Sequence, residues 1–417
     1  MKKKTLLIVI VLALSIAICG SFSFNAMAYG SNAGATISVS SAHSMAIKAD
    51  GTLWAFGFNG YGQLGDGTTE NRTAPVKIMD SVTSVSVSYL HSVAVKSDGS
   101  LWAWGNNEHG LLGDGTTENR LTPVKIMDGM ASVSVSNHHT MAVKSDGSLW
   151  AWGWNMTGIL GDGTMENRRF SPVKIMDGVI SVSASDTHTI AVKTDGSLWA
   201  WGENEYRDGG VGILGDGTKE NRIAPVKIMD GVALISAGNA HTMIVKTDGS
   251  LWTWGENEYG QLGDGTGEDR STPVKIMDGV SLISAGSISS MAVKTDGSLW
   301  AWGAFAEGLA NKGPQFEIRS TPVNIMDGVD SVSTGEEHTM AVKTDGSLWA
   351  WGVYRQGIPN DVPVLQRSTP VEIMDGMMLT KRSSPPVTNK PTIYSLDSIA
   401  AWAKTLLFLM TVKICLL

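Results

Sequence analysis

The sequence predicts an all-β fold, a seven-bladed β-propeller of four-stranded antiparallel blades. Three observations predict it. A unit of about 49 residues recurs seven times, marked by a Leu-Trp pair after Asp-Gly. Its tryptophans are Trp54, Trp102, Trp150, Trp199, Trp252, Trp300 and Trp349, spaced by 48, 48, 49, 53, 48 and 49 residues. Each unit alternates short β-rich segments with turn signals, and the 48 glycines are periodic rather than massed in one tract.

The copy that starts at His241 shows the parts. Residues 242–246 and 251–254 are β-rich, and Thr247-Asp248-Gly249 between them is a hairpin signal, because Asp-Gly readily adopts positive φ angles. Pro273–Met277 gives a further strand, with proline tolerated at its start. Val280–Ser284 gives a fourth and leads into the next copy. Trp252 and Trp254 stand two apart and share one face of the sheet, while Leu251 and Thr253 point to the other. Both faces therefore need a neighbour. Radially stacked blades supply one on each side, and a closed ring needs none of the polar caps a solenoid would require. The first copy looks like the interior ones, as a ring demands.

The phrases HSVAVKSDGSLWAWGNNEHGLLGDG and HTIAVKTDGSLWAWG resemble the regulator of chromosome condensation repeat family, whose members form seven-bladed propellers. The resemblance spans residues 37–376 and implies a binding protein of bacterial, secreted type. It is similar in blade size and compartment to a secreted β-lactamase-inhibitory protein of the same repeat type. The nucleotide-exchange activity of the family's eukaryotic namesake is not implied, since no exchange loop can be matched here.

The first residues read as an export signal: Lys2, Lys3 and Lys4, an apolar run over residues 6–18, then Ala26-Met27-Ala28 as a cleavage site. Loss of residues 1–28 would remove three lysines and no acid, leaving 29 basic against 40 acidic side chains and a net charge of −11. Such a chain disfavours nucleic acid as a partner, which needs basic patches. Cys415 would be the one remaining thiol, so no internal disulfide is available to the mature chain. After Gly376 the pattern fails. Residues 377–391 read as a linker, and 392–417 as an apolar tail, a truncated domain or peripheral helix through which alone the chain would meet a membrane. Which strand closes the ring is left open.

Candidate site residues divide by whether they repeat. His43, His91, His139, His188, His241 and His338 recur at one position, with Ser289 in the sixth copy, and a residue in nearly every blade is expected to serve the blade, capping it through neighbouring backbone, rather than to bind a metal. Gly-Asp-Gly-Thr at Asp66, Asp114, Asp162, Asp216 and Asp264 is read as a turn rather than a calcium loop. The arginines Arg72, Arg120, Arg169, Arg222, Arg270, Arg319 and Arg367 are read as inter-blade hydrogen-bonding residues. A G-x-G-x-x-G match at Gly210–Gly215 lacks the strand-to-helix setting of a dinucleotide site. No cofactor or metal is expected, and no serine-hydrolase or zinc-protease motif occurs.

What breaks the repeat points to binding. In copies 1, 2 and 5 the connection after Trp-x-Trp-Gly, or Trp-x-Phe-Gly in copy 1, carries Asn59, Asn107 or Asn257, then Tyr61, His109 or Tyr259. Copies 6 and 7 replace it with loops 304–318 and 353–366, containing Phe305, Phe316, Tyr354 and Arg355. Copy 4 has a five-residue excess near Tyr206 and Arg207. Aromatic and arginine side chains on loops are the usual anchors of an interface. The expected function is a monomeric, secreted or cell-surface module that binds a protein or a glycan and is not an enzyme. The alternative is an extracellular hydrolase or lyase with its site at the axial mouth, recognisable by unlike residues clustered around the funnel.

Overall fold

The structure is a computed structural model, described for residues 37–206, 211–306, 316–335, 338–354 and 365–377. Seven four-stranded antiparallel sheets follow one another along the chain in simple strand order, interrupted only in the fourth, where a two-stranded sheet of Glu205–Tyr206 and Val211–Gly212 precedes the outermost strand, and the described residues contain no helix. They form a seven-bladed β-propeller. Blade 2 is typical: Val82–Val87 nearest the axis, then His91–Lys96, Leu101–Gly105 and the outermost strand Arg120–Met127. The Val-x-x-Val segment is thus the first strand of its own blade rather than the last of the preceding one.

Burial follows from this order. The second strands are buried along nearly their whole length, whereas the outermost strands alternate between exposed and half-buried. The repeated proline, Pro123 in blade 2, lies inside the outermost strand and not at its start. It is tolerated there because an edge strand has amides that need no ladder partner. The opposite edge, at the axis, cannot be solvated in the same way. Its amides are met by serines of the preceding blade: Val87 N donates to Ser38 Oγ (3.0 Å), Val135 N to Ser86 Oγ (3.1 Å) and Ala285 N to Ser236 Oγ (2.9 Å). Buried amides are satisfied sideways, which explains buried serines inside apolar strands.

The core is a series of inter-blade layers. Trp102 and Trp104 of blade 2 pack together on Met45, Leu53 and Leu64 of blade 1, and each following interface repeats the pattern. The seventh layer joins Ile37, Val39, Ala46 and Phe56 to Met340, Val342 and Leu348, with Met377 among them. In blades 2 to 7 the first residue of the inner strand pairs with the lysine ending the second strand, as Val82 with Lys96 and Val329 with Lys343. Blade 1 has an inner strand of only three residues, Ile37–Val39, and Met377 pairs with Lys48 in the missing place. Met377 N also donates to Gly346 O (3.0 Å), as Val82 N does to Gly51 O (2.9 Å). The ring closes on a composite strand from both ends of the propeller.

Candidate functional site: the loop face

Chain direction decides where variable residues can gather. Within each blade the first strand runs to a short turn, the second returns between the first and the third, and the third runs in the same direction as the first. The turn after strand one and the long connection after strand three therefore emerge on one face, and the Asp-Gly hairpins on the other. Backbone bonds lock the two together: Phe58 N to Ala42 O (3.0 Å), Trp154 N to His138 O (2.8 Å), Glu203 N to Thr187 O (2.9 Å). We call this the loop face.

The repeated histidines lie just beneath it and link blades. His43 Nε2 is 2.7 Å from Ser92 Oγ, His91 Nε2 2.9 Å from Thr140 Oγ1, and His139 Nε2 2.8 Å from Thr189 Oγ1. The same relation continues from His188 to Thr242, from His241 to Ser290, and across the closure from His338 to Ser44. Ser92 Oγ donates to Gln63 O (2.7 Å) and Thr140 Oγ1 to Leu111 O (2.9 Å). With its proton spent, each of these hydroxyls must accept, so the imidazole carries a proton on Nε2. Nδ1 then accepts from Ser88 (3.0 Å), Ser136 (2.8 Å) or Ser185 (2.9 Å). Burial holds these imidazoles neutral, depressing them to about 3 for His43, His91, His139 and His188 and about 4 for His241 and His338. The sequence expectation of a structural role stands, with one correction: the ring bonds a serine hydroxyl of its own blade through Nδ1 and the next blade's hydroxyl through Nε2, rather than neighbouring backbone.

The Gly-Asp-Gly-Thr connections are self-contained. Asp66 Oδ1 accepts from Thr68 N (3.0 Å), Thr68 Oγ1 (2.7 Å) and the buried Asn59 Nδ2 (3.1 Å), and Oδ2 accepts from Arg72 Nε (2.6 Å). Burial works to raise Asp66, but the Thr68 and Arg72 hydrogen bonds outweigh it and hold the carboxyl below its ordinary range. Blades 2 to 5 repeat the pair at Arg120–Asp114, Arg169–Asp162, Arg222–Asp216 and Arg270–Asp264. These arginines therefore bond within their own blade, not between blades. The inter-blade contact comes from the first glycine: a Cβ on Gly65 would sit 2.6 Å from the indole nitrogen of Trp104, which donates to Gln63 O (2.9 Å).

Nearer the axis the repeat symmetry fails. A mouth of about 130 Å³ is lined by the seven inner turns, and its equivalent positions hold Ser41, Tyr89, Asn137, Asp186, Asn239 and Ser287. Tyr89 N donates to Asn137 Oδ1 (2.8 Å), while Asn137 N and Nδ2 donate to the two oxygens of Asp186 (2.8 Å each). Tyr89 stacks on Phe58 (5.9 Å between centroids), and His138 lies against Trp154 (4.9 Å). Burial raises Glu203, which sits near His138. Unlike residues therefore do surround the funnel. In the turns of blades 2 to 4 their polar groups bond to one another from blade to blade.

Of the residues singled out for binding, Arg207 and Arg355 lie outside the described residues. Phe305, Phe316, Tyr354 and Tyr206 belong to strands rather than open loops. Ala306 pairs with Phe316 and Phe305 with Glu317, Tyr354 with Leu365, and Tyr206 with Val211. Blades 6 and 7 lack the Asn-Asp-Arg cluster, and their third strands continue as hairpins past Gly303 and Gly352. Sequence reasoning passed over Tyr89, His138 and Trp154. Their signal was present as dissimilarity at equivalent repeat positions.

The chain matches the family model described as Regulator of chromosome condensation (RCC1) repeat at residues 50–95, 98–143, 146–192, 195–245 and 248–293. A second model of the same repeat matches 35–63, 82–111, 179–207, 232–261 and 329–353. Among solved structures it is similar to yeast RCC1 (Prp20) in complex with Kap60, at 19% identity and TM-score 0.63 over 77% of this chain and 83% of that one. It is also similar to Prp20p from Saccharomyces cerevisiae (20%, TM-score 0.64, 79% and 88%) and to human WBSCR16 (22%, TM-score 0.64, 74% and 87%). At these identities the structural likeness establishes the fold.

Proposed function

The chain belongs to the Regulator of chromosome condensation (RCC1) repeat family, and from that premise we propose that it is a non-catalytic protein-binding module whose loop face receives the partner. The observation that carries this reading is the concentration of unlike residues on one face of an otherwise repetitive ring. Internal positions repeat because each must fit the next blade. Positions free of that constraint differ mainly on the loop face, where Tyr89, Asn137 and Asp186 occupy equivalent places. Binding of proteins accords with its structural neighbours, yeast RCC1 bound by Kap60 and Prp20p with its binding to Gsp1p and histones.

Presentation outside the cell is part of the proposal and rests on the Lys2–Lys4, apolar and Ala-Met-Ala pattern. A role for the hairpins of blades 6 and 7 is also part of the proposal, and rests on their third strands running toward the loop face like those of the other blades. The experiment replaces 304–318 and 353–366 with the blade-5 connection, 256–269, and measures capture of a partner from the surface fraction of the producing cell. Loss of capture by a folded double swap supports these hairpins as the anchor. Retention moves the anchor elsewhere on the face, and capture by the opposite face would overturn the reading.

A further inference from the structure

Among the five blades that carry the Gly-Asp-Gly-Thr connection, blade 3 alone has methionine, Met156 and Met165, where the others have polar residues or glycine. At four loop-face positions of blade 3 stand Trp154, Met156, Met165 and Phe170. The equivalent residues in blade 2 are Asn106, Glu108, Thr117 and Leu121, and in blade 5 they are Glu256, Glu258, Gly267 and Ser271. Met156 is 55% exposed, Met165 63% and Phe170 39%. Ile223 of blade 4 extends the group: it lies against Gly158, two residues from Met156, and its carbonyl accepts from Gly163 N (3.0 Å), two residues from Met165. On the axial side Trp154 leads to His138, and from there to Asp186, whose carbonyl oxygen is 3.1 Å from His138 Nδ1. Phe170 lies in the same way against Gly110 of blade 2, so these apolar residues run across the blade 3 connection from one neighbouring blade to the other. Scattered exposed apolar residues need no explanation, but apolar residues gathered on one connection, two of them methionine, mark a surface that is covered in use.

The charges around these residues say what covers them. Glu108, Glu118, Glu166, Glu205 and Glu220 are exposed on the flanking connections. Arg120, Arg169 and Arg222 each pair with an aspartate beneath (Asp114, Asp162 and Asp216) and a glutamate beside it (Glu118, Glu166 and Glu220), so each group keeps one net negative charge, and Glu108 and Glu205 balance the remaining cations Arg168 and Lys219. The margin is therefore acidic, as is the chain as a whole at −8. A second copy of this acidic chain would be repelled, whereas a cationic segment would be attracted.

We propose that Met156, Met165 and Ile223, flanked by Trp154 and Phe170, dock a cationic segment of a partner protein that carries large apolar side chains between its lysines or arginines. This rests on the loop face being the binding face, and adds the blade and the partner's chemistry.

The repeat supplies its own control, because Met156→Glu and Met165→Thr give blade 3 the residues of blade 2 on an unaltered framework. The probe is a fluorescein-labelled peptide of lysine, leucine and phenylalanine, with one counterpart carrying glutamate for every lysine and another serine for every apolar residue. Anisotropy titrations on the full chain should show saturable, salt-sensitive binding of the first peptide and binding at least about tenfold weaker for both counterparts. The double variant, with an unchanged melting curve, should lose about tenfold for the first peptide. Equal binding by the variant, equal binding of the glutamate peptide, or a self-association in sedimentation that the variant abolishes would each overturn the proposal. If the variant leaves partner capture intact while the blade 6 and 7 swap abolishes it, the binding face stands and this assignment alone fails.

Discussion

Met377 pairs with Lys48 across the ends of the propeller, taking in blade 1 the place that Val82 takes opposite Lys96 in blade 2. Its side chain is 3% exposed within the layer that joins blades 1 and 7. Met377→Ala should therefore cost about 2–5 kcal/mol, as for other buried large-to-small changes. Met377→Val should be nearly neutral, since valine fills this place in five of the other blades. Urea unfolding of both variants decides it, and equal stability of Met377→Ala and the parent would contradict the closure.

The histidine links predict a pH dependence with a definite sign. Six imidazoles have folded values of about 3 to 4 against 6.5 in the unfolded chain. Between those values the unfolded state binds more protons, so stability is complete above pH 6.5 and falls as pH drops toward 4. The loss is about 1.4 kcal/mol per histidine per pH unit, an order of magnitude that summed over the ring predicts acid unfolding well above the carboxylate range. Melting temperatures from pH 7.5 to 4.5 test this, and a flat profile would remove the neutral-imidazole assignment.

The two tryptophans of each third strand should differ. Trp152 is fully buried and donates to Leu111 O of the preceding blade (2.9 Å), whereas Trp150 is half-buried beneath Lys144 and donates to Ser148 of its own turn (3.0 Å). Trp152→Ala should cost about 3–5 kcal/mol. Trp150→Ala should cost less, about 1–3 kcal/mol for its partial burial and cation–π contact. Denaturation of the pair measures the order, and a reversed order would contradict the packing described.

Much of this was legible in the sequence because the repeat prints each constraint seven times. The strand-turn pattern, the Trp-x-Trp face and the ring all follow from Asp-Gly turns and period-two alternation. What depends on the neighbouring blade was not legible. His91 reaches Thr140, 49 residues away, and a single copy cannot show whether a conserved-looking polar residue bonds inward or sideways. The arginines failed in the opposite sense, since Arg72 turns back six residues to Asp66. The hairpins at Phe305 and Tyr354 were misread as loops because losing the Asn-Asp-Arg cluster removes a turn signal without adding a strand signal.

One residue tests the connector between blades. Asp-Gly precedes the inner strand in six places with glycine φ near 72–79°, but blade 1 ends in Ser81 at φ 64°. A left-handed conformation costs an L-residue about 1–2 kcal/mol, partly offset by glycine's greater freedom when unfolded. Ser81→Gly should raise stability by about 0.5–1 kcal/mol. A drop would mean that Ser81 makes a contact worth more than its strain.

The most direct measurement of the binding-face claim is hydrogen–deuterium exchange of the full chain with and without its captured partner. Protection should appear in the inner turns that hold Tyr89, Asn137 and Asp186 and in the connections after the third strands, foremost 154–170 of blade 3. The Asp-Gly hairpins at Asp98, Asp146 and Asp195 on the opposite face should exchange unchanged. Protection confined to those hairpins, with the loop face unaffected, would contradict the account.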